Sequence, residues 1–314
     1  YDKRGVLWVG TDNGLNRFDP ATNSFTVFSH VVSNPASISN NNISAFLEDS
    51  KGNFWVGTDS GLNIFNRTIT TCRLVRGTMQ RTSGLSGNEV VTALAEDVHG
   101  SIWMGTETTG LYRIDSRTES VLEHFHVNPH APSDGLFSNN IRTLHRDSKN
   151  ELWVGTASGG LHLYNSVKHT FTHYRYDPAN NRSLSGNIIF SFYEDRSGAY
   201  WVGTYGNGLN VFHAQANVFQ TTICNPQNPN DMFSNSIYAL LEDSRGLVWI
   251  GTEQGLVRYN RLTKQMLLVP NVVTDKNRST SNFVRNITET RDGMIWIATE
   301  SGLHKLDPAT LRRT

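Results

Sequence analysis

Apolar and polar residues alternate along this chain in short segments, and small or polar turn residues separate one segment from the next. Such alternation has the two-residue period of a half-buried β-strand. No window carries a sustained apolar stripe at the 3.6-residue spacing of an amphipathic helix. The pattern therefore predicts an all-β protein with little or no helix.

One phrase recurs along the whole sequence, and each tryptophan stands within a copy of it. Successive tryptophans are 47, 48, 50, 48, 48 and 47 residues apart, and the phrase around them reads E-D-x-x-G-x-(apolar)-W-V-G-T, then a polar turn and G-L. A repeat of this period indicates stacked supersecondary units. The seven anchors are Trp8, Trp55, Trp103, Trp153, Trp201, Trp249 and Trp296.

Each period divides into four extended segments, as the second repeat illustrates with predicted strands at 43–48, 54–58, 61–66 and 72–76. Four short strands separated by turns predict a seven-bladed β-propeller of four-stranded antiparallel blades. Residues 1–314 are interpreted as a single domain. The first repeat lacks its first strand and the seventh lacks its fourth, so we expect incomplete terminal blades in a part of a longer chain.

The constant positions of the repeat suit structural roles. A large side chain fills the space between neighbouring sheets, so each tryptophan is expected to be buried between blades. An aspartate six residues before it can accept hydrogen bonds from turn amides or from the indole. A glycine relieves the turn that enters the third strand. The aspartates are Asp2, Asp49, Asp97, Asp147, Asp195 and Asp243, and the glycines Gly14, Gly61, Gly110, Gly160, Gly208, Gly255 and Gly302.

The amino-acid composition argues against several kinds of partner and site. The chain has 28 Lys plus Arg and 28 Asp plus Glu, a balance that argues against nucleic acid as a partner. Its two cysteines, Cys72 and Cys224, lie three predicted blades apart, so we expect no bond between them. No segment has the length and apolarity of a membrane span, and Tyr1 does not open a signal peptide. We expect no direct membrane insertion by this segment and no cofactor.

A ligand-binding face is predicted from the positions that vary while the scaffold repeats. Eleven residues before each tryptophan, at the start of the innermost strand, the side chain changes between small, aromatic and basic types: Ser44, Thr92, Arg142, Phe190, Tyr238 and Arg285. Aromatic and guanidinium groups suit sugar rings and acidic groups. In the link between strands two and three, Tyr205 and Asn207 depart from the small or acidic residues elsewhere, and Glu107 is a weaker candidate. Ordinary variation at a half-exposed position remains the alternative.

Catalytic and metal-binding patterns are weak in this sequence. His124 and His126 share one face of a predicted outer strand, but no third ligand stands at fitting spacing, so we interpret them as surface residues and expect no metal. His145 on an inner strand is interpreted as a packed or solvated neighbour. No nucleophile-elbow or zinc-protease phrase occurs. We therefore expect no catalytic residue.

The repeated phrase, with tails such as FTHYRYDPANNRSLSGN and starts such as SISNNNI and GLFSNNI, resembles the two-component regulator propeller repeat along essentially the whole chain. This resemblance implies a periplasmic sensor domain of a hybrid two-component histidine kinase or a related diguanylate cyclase receptor. It further implies a small-molecule ligand of the oligosaccharide class and downstream domains of the same chain as partners. A homodimer of the full-length receptor is a further expectation.

Two other functions remain open from the sequence. One is a lyase or hydrolase similar to the streptogramin lyases, whose repeats also carry a G-x-(apolar)-W phrase; it requires polar residues that converge on one site. The other is a protein-docking platform, which would present a broad apolar or charged face.

Overall fold

The computed structural model describes residues 1–77, 84–128, 135–213, 217–225, 232, 234–270 and 282–313. Its strands form seven separate antiparallel sheets, which we call blades 1 to 7 in chain order. The chain groups into two compact units, residues 1–173 and 174–314. All regular structure in the described residues is β-strand, which confirms the predicted class.

Blades 1 to 4 belong to the first unit, with the final residue of blade 4 at the start of the second. Blade 1 has three strands: β1 (Trp8–Thr11), β2 (Gly14–Asp19) and β3 (Ser24–Phe28). Blade 2 comprises β4 (Ile43–Glu48), β5 (Phe54–Thr58), β6 (Gly61–Asn66) and β7 (Thr71–Leu74). Blade 3 comprises β8 (Val91–Glu96), β9 (Ser101–Thr106), β10 (Leu111–Asp115) and β11 (Val121–Phe125). Blade 4 comprises β12 (Ile141–Arg146), β13 (Leu152–Thr156), β14 (Leu161–Asn165) and β15 (Thr170–Tyr174).

Blades 5 to 7 belong to the second unit. Blade 5 comprises β16 (Ile189–Glu194), β17 (Tyr200–Thr204), β18 (Leu209–His213) and β19 (Val218–Thr222). Blade 6 comprises β20 (Ile237–Glu242), β21 (Leu247–Thr252), β22 (Gly255–Asn260) and β23 (Gln265–Leu268). Blade 7 has three strands among the described residues: β24 (Val284–Glu289), β25 (Ile295–Thr299) and β26 (Gly302–Leu306). These sheets confirm the seven-bladed propeller with three-stranded first and last blades.

The strands of blade 2 show how accurately the repeat predicts where each strand begins and ends. Its first three strands have the predicted bounds. The fourth was predicted at 72–76 but runs from Thr71 to Leu74, because the last pair of its ladder joins Asn63 to Leu74. Outer strands have few neighbours, so their ends carry the weakest sequence signal.

The recurring aspartate of the repeat organises the turn between the first two strands of a blade. In blade 2 the carboxylate of Asp49 accepts hydrogen bonds from the backbone N–H of Lys51 and Asn53, while the carbonyl of Asp49 accepts from Gly52 N–H. The same carboxylate accepts the Trp55 indole N–H. All six aspartates make this indole bond, at 3.0, 2.9, 3.1, 2.9, 2.6 and 2.9 Å for Trp8, Trp55, Trp103, Trp153, Trp201 and Trp249. Their structural interpretation is thereby confirmed.

Within each compact unit, the tryptophan of one blade packs on the next blade. Trp249 of blade 6, for example, lies in one apolar cluster with Val284, Ile295 and Ile297 of blade 7. Six of the tryptophans are buried as predicted, whereas Trp296 is half-buried, so the prediction was wrong at this position. Trp296 lies in blade 7, and no further sheet follows it along the described residues of the chain.

The glycine that enters the third strand takes a positive φ in every repeat. At Gly110 φ is 94°, and a Cβ would lie 2.2 Å from the carbonyl oxygen of Phe125 in the neighbouring outer strand. Only glycine tolerates both the left-handed backbone and this close approach. The predicted backbone role of this glycine is confirmed.

Cys72 and Cys224 are both free thiols. Burial raises the pKa of Cys72 to about 12, so this thiol stays protonated at neutral pH. Within the described ranges, we find no helix with the length and apolarity that crossing a membrane would require.

The turn aspartates predict how stability depends on pH. Burial alone would raise the pKa of Asp49, but hydrogen bonds from the Trp55 indole, the Asn53 side chain and two backbone amides lower it below its usual range. A carboxyl whose folded-state pKa is depressed stabilises the protein fully above its unfolded pKa of about 3.9 and loses that contribution as pH falls through the folded value. We expect the urea concentration at the unfolding midpoint to decrease as the pH is lowered below about 4. This decrease should be less steep in the Asp49→Asn variant. Parallel profiles for the two proteins would contradict this.

Candidate ligand-binding surface

The first strand of each of blades 2 to 7 contains a β-bulge at one repeated position. In blade 5, Ile189 pairs with Thr204 and Ser191 pairs with Gly203, so Phe190 is the extra residue between them. A bulge releases a side chain from the strict alternation of a strand and re-aims it. The same shift occurs in the other blades, and the bulged residues are the variable ones of the sequence: Ser44, Thr92, Arg142, Phe190, Tyr238 and Arg285.

A backbone hydrogen bond brings the second variable position beside the bulge. In these blades, the residue four positions after the tryptophan donates its backbone N–H to a carbonyl oxygen. That carbonyl belongs to the residue two positions before the bulged residue, so the bond lies at the end of the blade. Tyr205 donates to Ile188 at 3.0 Å and Glu253 to Ser236 at 3.2 Å, and Glu107 donates to Val90 at 2.9 Å. The bulge and the link between strands two and three therefore meet at one end of each blade.

Small bulged residues hold neighbouring blades together. The Ser44 hydroxyl donates to the carbonyl of Val91, and the Thr92 hydroxyl donates to that of Ile141 at 2.6 Å. Each bond joins the first strand of one blade to the first strand of the next. Phe190 has no hydroxyl for this bond, but the adjacent Ser191 donates to Ile237 at 3.3 Å. The side chain of Phe190 is thus released from this structural task.

Four aromatic rings of the second unit form a continuous contact surface, which we call the aromatic strip: Tyr205, Phe190, Tyr238 and Phe283. Phe190 and Tyr238 stack with ring centroids 4.5 Å apart and an angle of 28°. Tyr205 meets Phe190 edge-on at 5.6 Å, and Phe283 meets Tyr238 edge-on at 4.3 Å. Tyr205 is exposed and the other three are half-buried, so solvent reaches the strip.

Arg285 gives the strip a cationic end. Its guanidinium carbon lies 3.8 Å from the ring centre of Phe283 and 5.6 Å from that of Tyr238. Its Nη2 donates to the Glu300 carboxylate at 2.7 Å, and half of the side chain is exposed. A guanidinium has five N–H donors in a rigid plane. The ring and the carboxylate therefore fix the plane of a group that can also donate to an incoming ligand.

The Tyr238 phenol stays neutral at physiological pH. Burial raises its pKa above the ordinary value, and the nearby Glu253 carboxylate and Tyr205 raise it further, against the lowering effect of Arg285. A neutral phenol donates a hydrogen bond. The surface thus combines apolar faces with donors on Tyr238 and Arg285 and an acceptor on Glu300.

The structure brings together four of the predicted site residues, Phe190, Tyr238, Arg285 and Tyr205. Asn207 is exposed on the same link as Tyr205, and it packs so closely on Gly186 that a Cβ there would lie 2.6 Å from its Oδ1. Arg142 and Glu107 belong to the first unit, where Arg142 is half-buried and Glu107 exposed. Their roles as site residues stay predictions.

Phe283, Glu253 and Glu300 were not among the predicted site residues. A signal for Phe283 exists in the repeats, because it stands thirteen residues before its tryptophan, where the other copies carry smaller residues. These are Asn42, Val90, Asn140, Ile188 and Ser236. Glu253 and Glu300 occupy the same link position as Tyr205, where acidic residues recur.

Comparison with known proteins supports the fold and the repeat family. The model of the family described as "two component regulator propeller" matches six segments, at residues 37–60, 84–108, 135–158, 183–206, 231–254 and 279–301. Comparison with curated protein sequences finds no match.

Several solved structures share the fold. The extracellular domain of a putative hybrid two-component system from B. thetaiotaomicron superposes with a TM-score of 0.78 at 22% identity, over 97% of this chain and 38% of its own. The extracellular domain of a putative one-component system from that organism gives 0.66 at 21% identity, over 100% and 46%. Virginiamycin B lyase from Staphylococcus aureus gives 0.67 at 14% identity, over 96% and 90%.

This chain spans less than half the length of the two extracellular domains, and identities in this range establish a shared fold only. The six matched segments each include the E-D-x-x-G-x-(apolar)-W-V-G-T phrase or its start, together with the bulged strand before it. The six matched repeats of this chain belong to the two-component regulator propeller family.

Proposed function

We propose that this chain is the extracytoplasmic, ligand-sensing part of a bacterial transmembrane signalling receptor, and that it binds its signal on the aromatic strip. The observation that carries the proposal is the strip itself, in which re-aimed side chains of three successive blades meet beside Arg285 and Glu300. The repeat family and the fold shared with two extracellular domains of bacterial signalling systems support a sensor.

The chemistry of the strip favours a ligand with both apolar faces and polar edges. The C–H faces of a sugar ring pack on aromatic rings, while its hydroxyl groups need donors and acceptors such as Tyr238, Arg285 and Glu300. Arg285 would also suit an acidic sugar. The proposed ligand class is therefore an oligosaccharide in the periplasm.

Signal transfer in this proposal requires no turnover. Ligand binding favours one of two arrangements of the chain and its downstream domains, and the shift is limited by the difference in affinity, about 1 to 3 kcal/mol. A histidine kinase or diguanylate cyclase domain of the full-length protein would read this shift.

The proposal is tested by a thermal-shift screen of neutral and acidic oligosaccharides, because a ligand that binds the folded state raises its melting temperature. Calorimetry with the hit then compares Tyr238→Ala and Arg285→Ala with Leu262→Ala. Leu262 is 95% exposed in the turn at the opposite end of blade 6, so its replacement is the matched control. We expect at least about a tenfold loss of affinity in the first two variants and none in the control.

Three outcomes would overturn parts of this proposal. Unchanged affinity in both strip variants would move the site elsewhere, and a loss confined to Arg142→Ala would move it to the first unit. Release of a reaction product from the hit would replace the sensor by a lyase or hydrolase.

A further inference from the structure

Two histidines at the end of blade 3 form a cluster separate from the aromatic strip. Tyr112 of β10 pairs directly with His124 of β11, and the two rings stack with centroids 3.9 Å apart and an angle of 8°. His126, two residues further along, points to the same side, and its ring centroid lies 5.1 Å from that of His124. Both histidines therefore present their rings together, with one of them held flat on a buried tyrosine.

A backbone carbonyl fixes the tautomer of His124. Its Nε2 lies 2.7 Å from the carbonyl oxygen of Thr109, in the link between β9 and β10. Because a carbonyl can only accept, Nε2 carries the proton and the lone pair of the neutral ring lies on Nδ1. Metal-binding histidines are typically oriented by such a bond from the other ring nitrogen.

A buried carboxylate, that of Glu89, acts electrostatically on His124. Glu89 is buried and accepts hydrogen bonds from the N–H groups of Ser86 and Gly87, so it supplies a fixed negative potential nearby. A negative charge near the two imidazoles favours the approach of a cation.

We propose that His124 and His126 form a transition-metal site on blade 3 that takes Zn²⁺, Ni²⁺ or Cu²⁺ through two imidazoles. Two nitrogens about 2.0–2.1 Å from one tetrahedral ion lie about 3.4 Å apart, which fits rings whose centres are 5.1 Å apart. Imidazole suits these ions, whereas Mg²⁺ and Ca²⁺ prefer oxygen ligands. The remaining coordination positions are open to water or to an oxygen of a bound molecule.

From the sequence we expected no metal at His124 and His126, because no third ligand stands at fitting spacing. Among the described residues, no group of three or more His, Cys, Asp or Glu is arranged for a metal ion. Two imidazoles on one strand face form a chelate, and the rigid stack on Tyr112 with the bond to Thr109 reduces the ordering cost of binding. The inference is independent of the aromatic strip and of the sensor proposal.

Isothermal titration calorimetry of the whole chain with ZnCl₂ and NiCl₂ at pH 7.5 tests it, with MgCl₂ as the comparison ion. We expect each of His124→Gln and His126→Gln to weaken Zn²⁺ binding by at least about tenfold, and His99→Gln, in an exposed turn of the same blade, to leave it unchanged. Metal-free thermal melts check that the variants fold.

Equal Zn²⁺ affinity in the unmodified chain and both histidine variants would overturn the proposal. So would Mg²⁺ binding as tight as Zn²⁺ binding, since that would indicate oxygen ligands.

Discussion

Replacement of Trp249 by alanine is expected to destabilise the protein by about 3–5 kcal/mol, as for other large-to-small changes of buried aromatic residues. The side chain is fully buried in the cluster that joins blades 6 and 7, and its indole N–H donates to the buried Asp243 carboxylate at 2.9 Å. Alanine leaves a cavity between two sheets and removes a donor from a buried charge. Urea unfolding followed by far-UV circular dichroism measures the change.

Two matched variants separate the contributions. Trp249→Phe keeps most of the apolar contact but removes the donor to Asp243, so we expect a smaller loss, about 1–3 kcal/mol. Trp296→Ala removes the equivalent side chain of blade 7, which is only half-buried, and should cost less than Trp249→Ala. Equal losses at Trp249 and Trp296 would show that burial between sheets is not what makes these tryptophans stabilising.

Much of this fold could be predicted because one chain contains several copies of the same unit. The recurring aspartate, tryptophan and glycine each have one physical task in every blade, and the structure assigns Asp49, Trp55 and Gly61 those tasks in blade 2. Trp296 shows the limit of this reasoning. Its local phrase keeps the apolar positions of the others, although Thr290 stands in place of the aspartate. Its burial depends on a surface supplied by another sheet, which no local pattern encodes.

The sequence indicated where the variable side chains stand but not how they are presented. Variation at Phe190, Tyr238 and Arg285 marked the strand position at which the structure has a β-bulge. The β-bulge that re-aims them could not be predicted, because one extra residue leaves no clear trace in a short alternating pattern. Phe283 was missed for a related reason. It lies outside the ladder of β24, so its contact with Tyr238 follows from the path of the chain before the strand rather than from strand periodicity.

Replacement of Arg261 by methionine is expected to destabilise the second unit by about 3–5 kcal/mol, because it removes the cation that two buried carboxylates share. Arg261 reaches across blades 5 and 6, with Nη1 2.6 Å from Asp195 and Nη2 2.5 Å from Glu242. The two carboxylate side chains are 1% and 0% exposed. Methionine keeps the apolar stem of the side chain, so the variant isolates the loss of charge.

An internal replicate and an exposed pair provide the controls. Arg67 makes the same double ion pair in the first unit, 2.8 Å from Asp2 and 2.6 Å from Glu48, so Arg67→Met should be similarly costly. Arg73 pairs with Glu119 but is 60% exposed, so Arg73→Met should cost less than about 1 kcal/mol. Similar losses in all three variants would contradict the importance of buried charge.

The pH dependence of Arg261→Met gives the sharpest measurement of this arrangement. Burial alone would raise the pKa of Asp195, but hydrogen bonds from Ser197, Trp201, the Ala199 N–H and Arg261 lower it below its ordinary value. Without Arg261 that pKa must rise, so protonation would neutralise the stranded carboxylate at a higher pH than in the unmodified chain. The difference in unfolding free energy between the two proteins should therefore be largest near pH 7 and shrink as pH falls towards 4. A difference that stays constant from pH 7 to pH 4 would mean that the cost comes from lost packing of the arginine stem rather than from the uncompensated carboxylates.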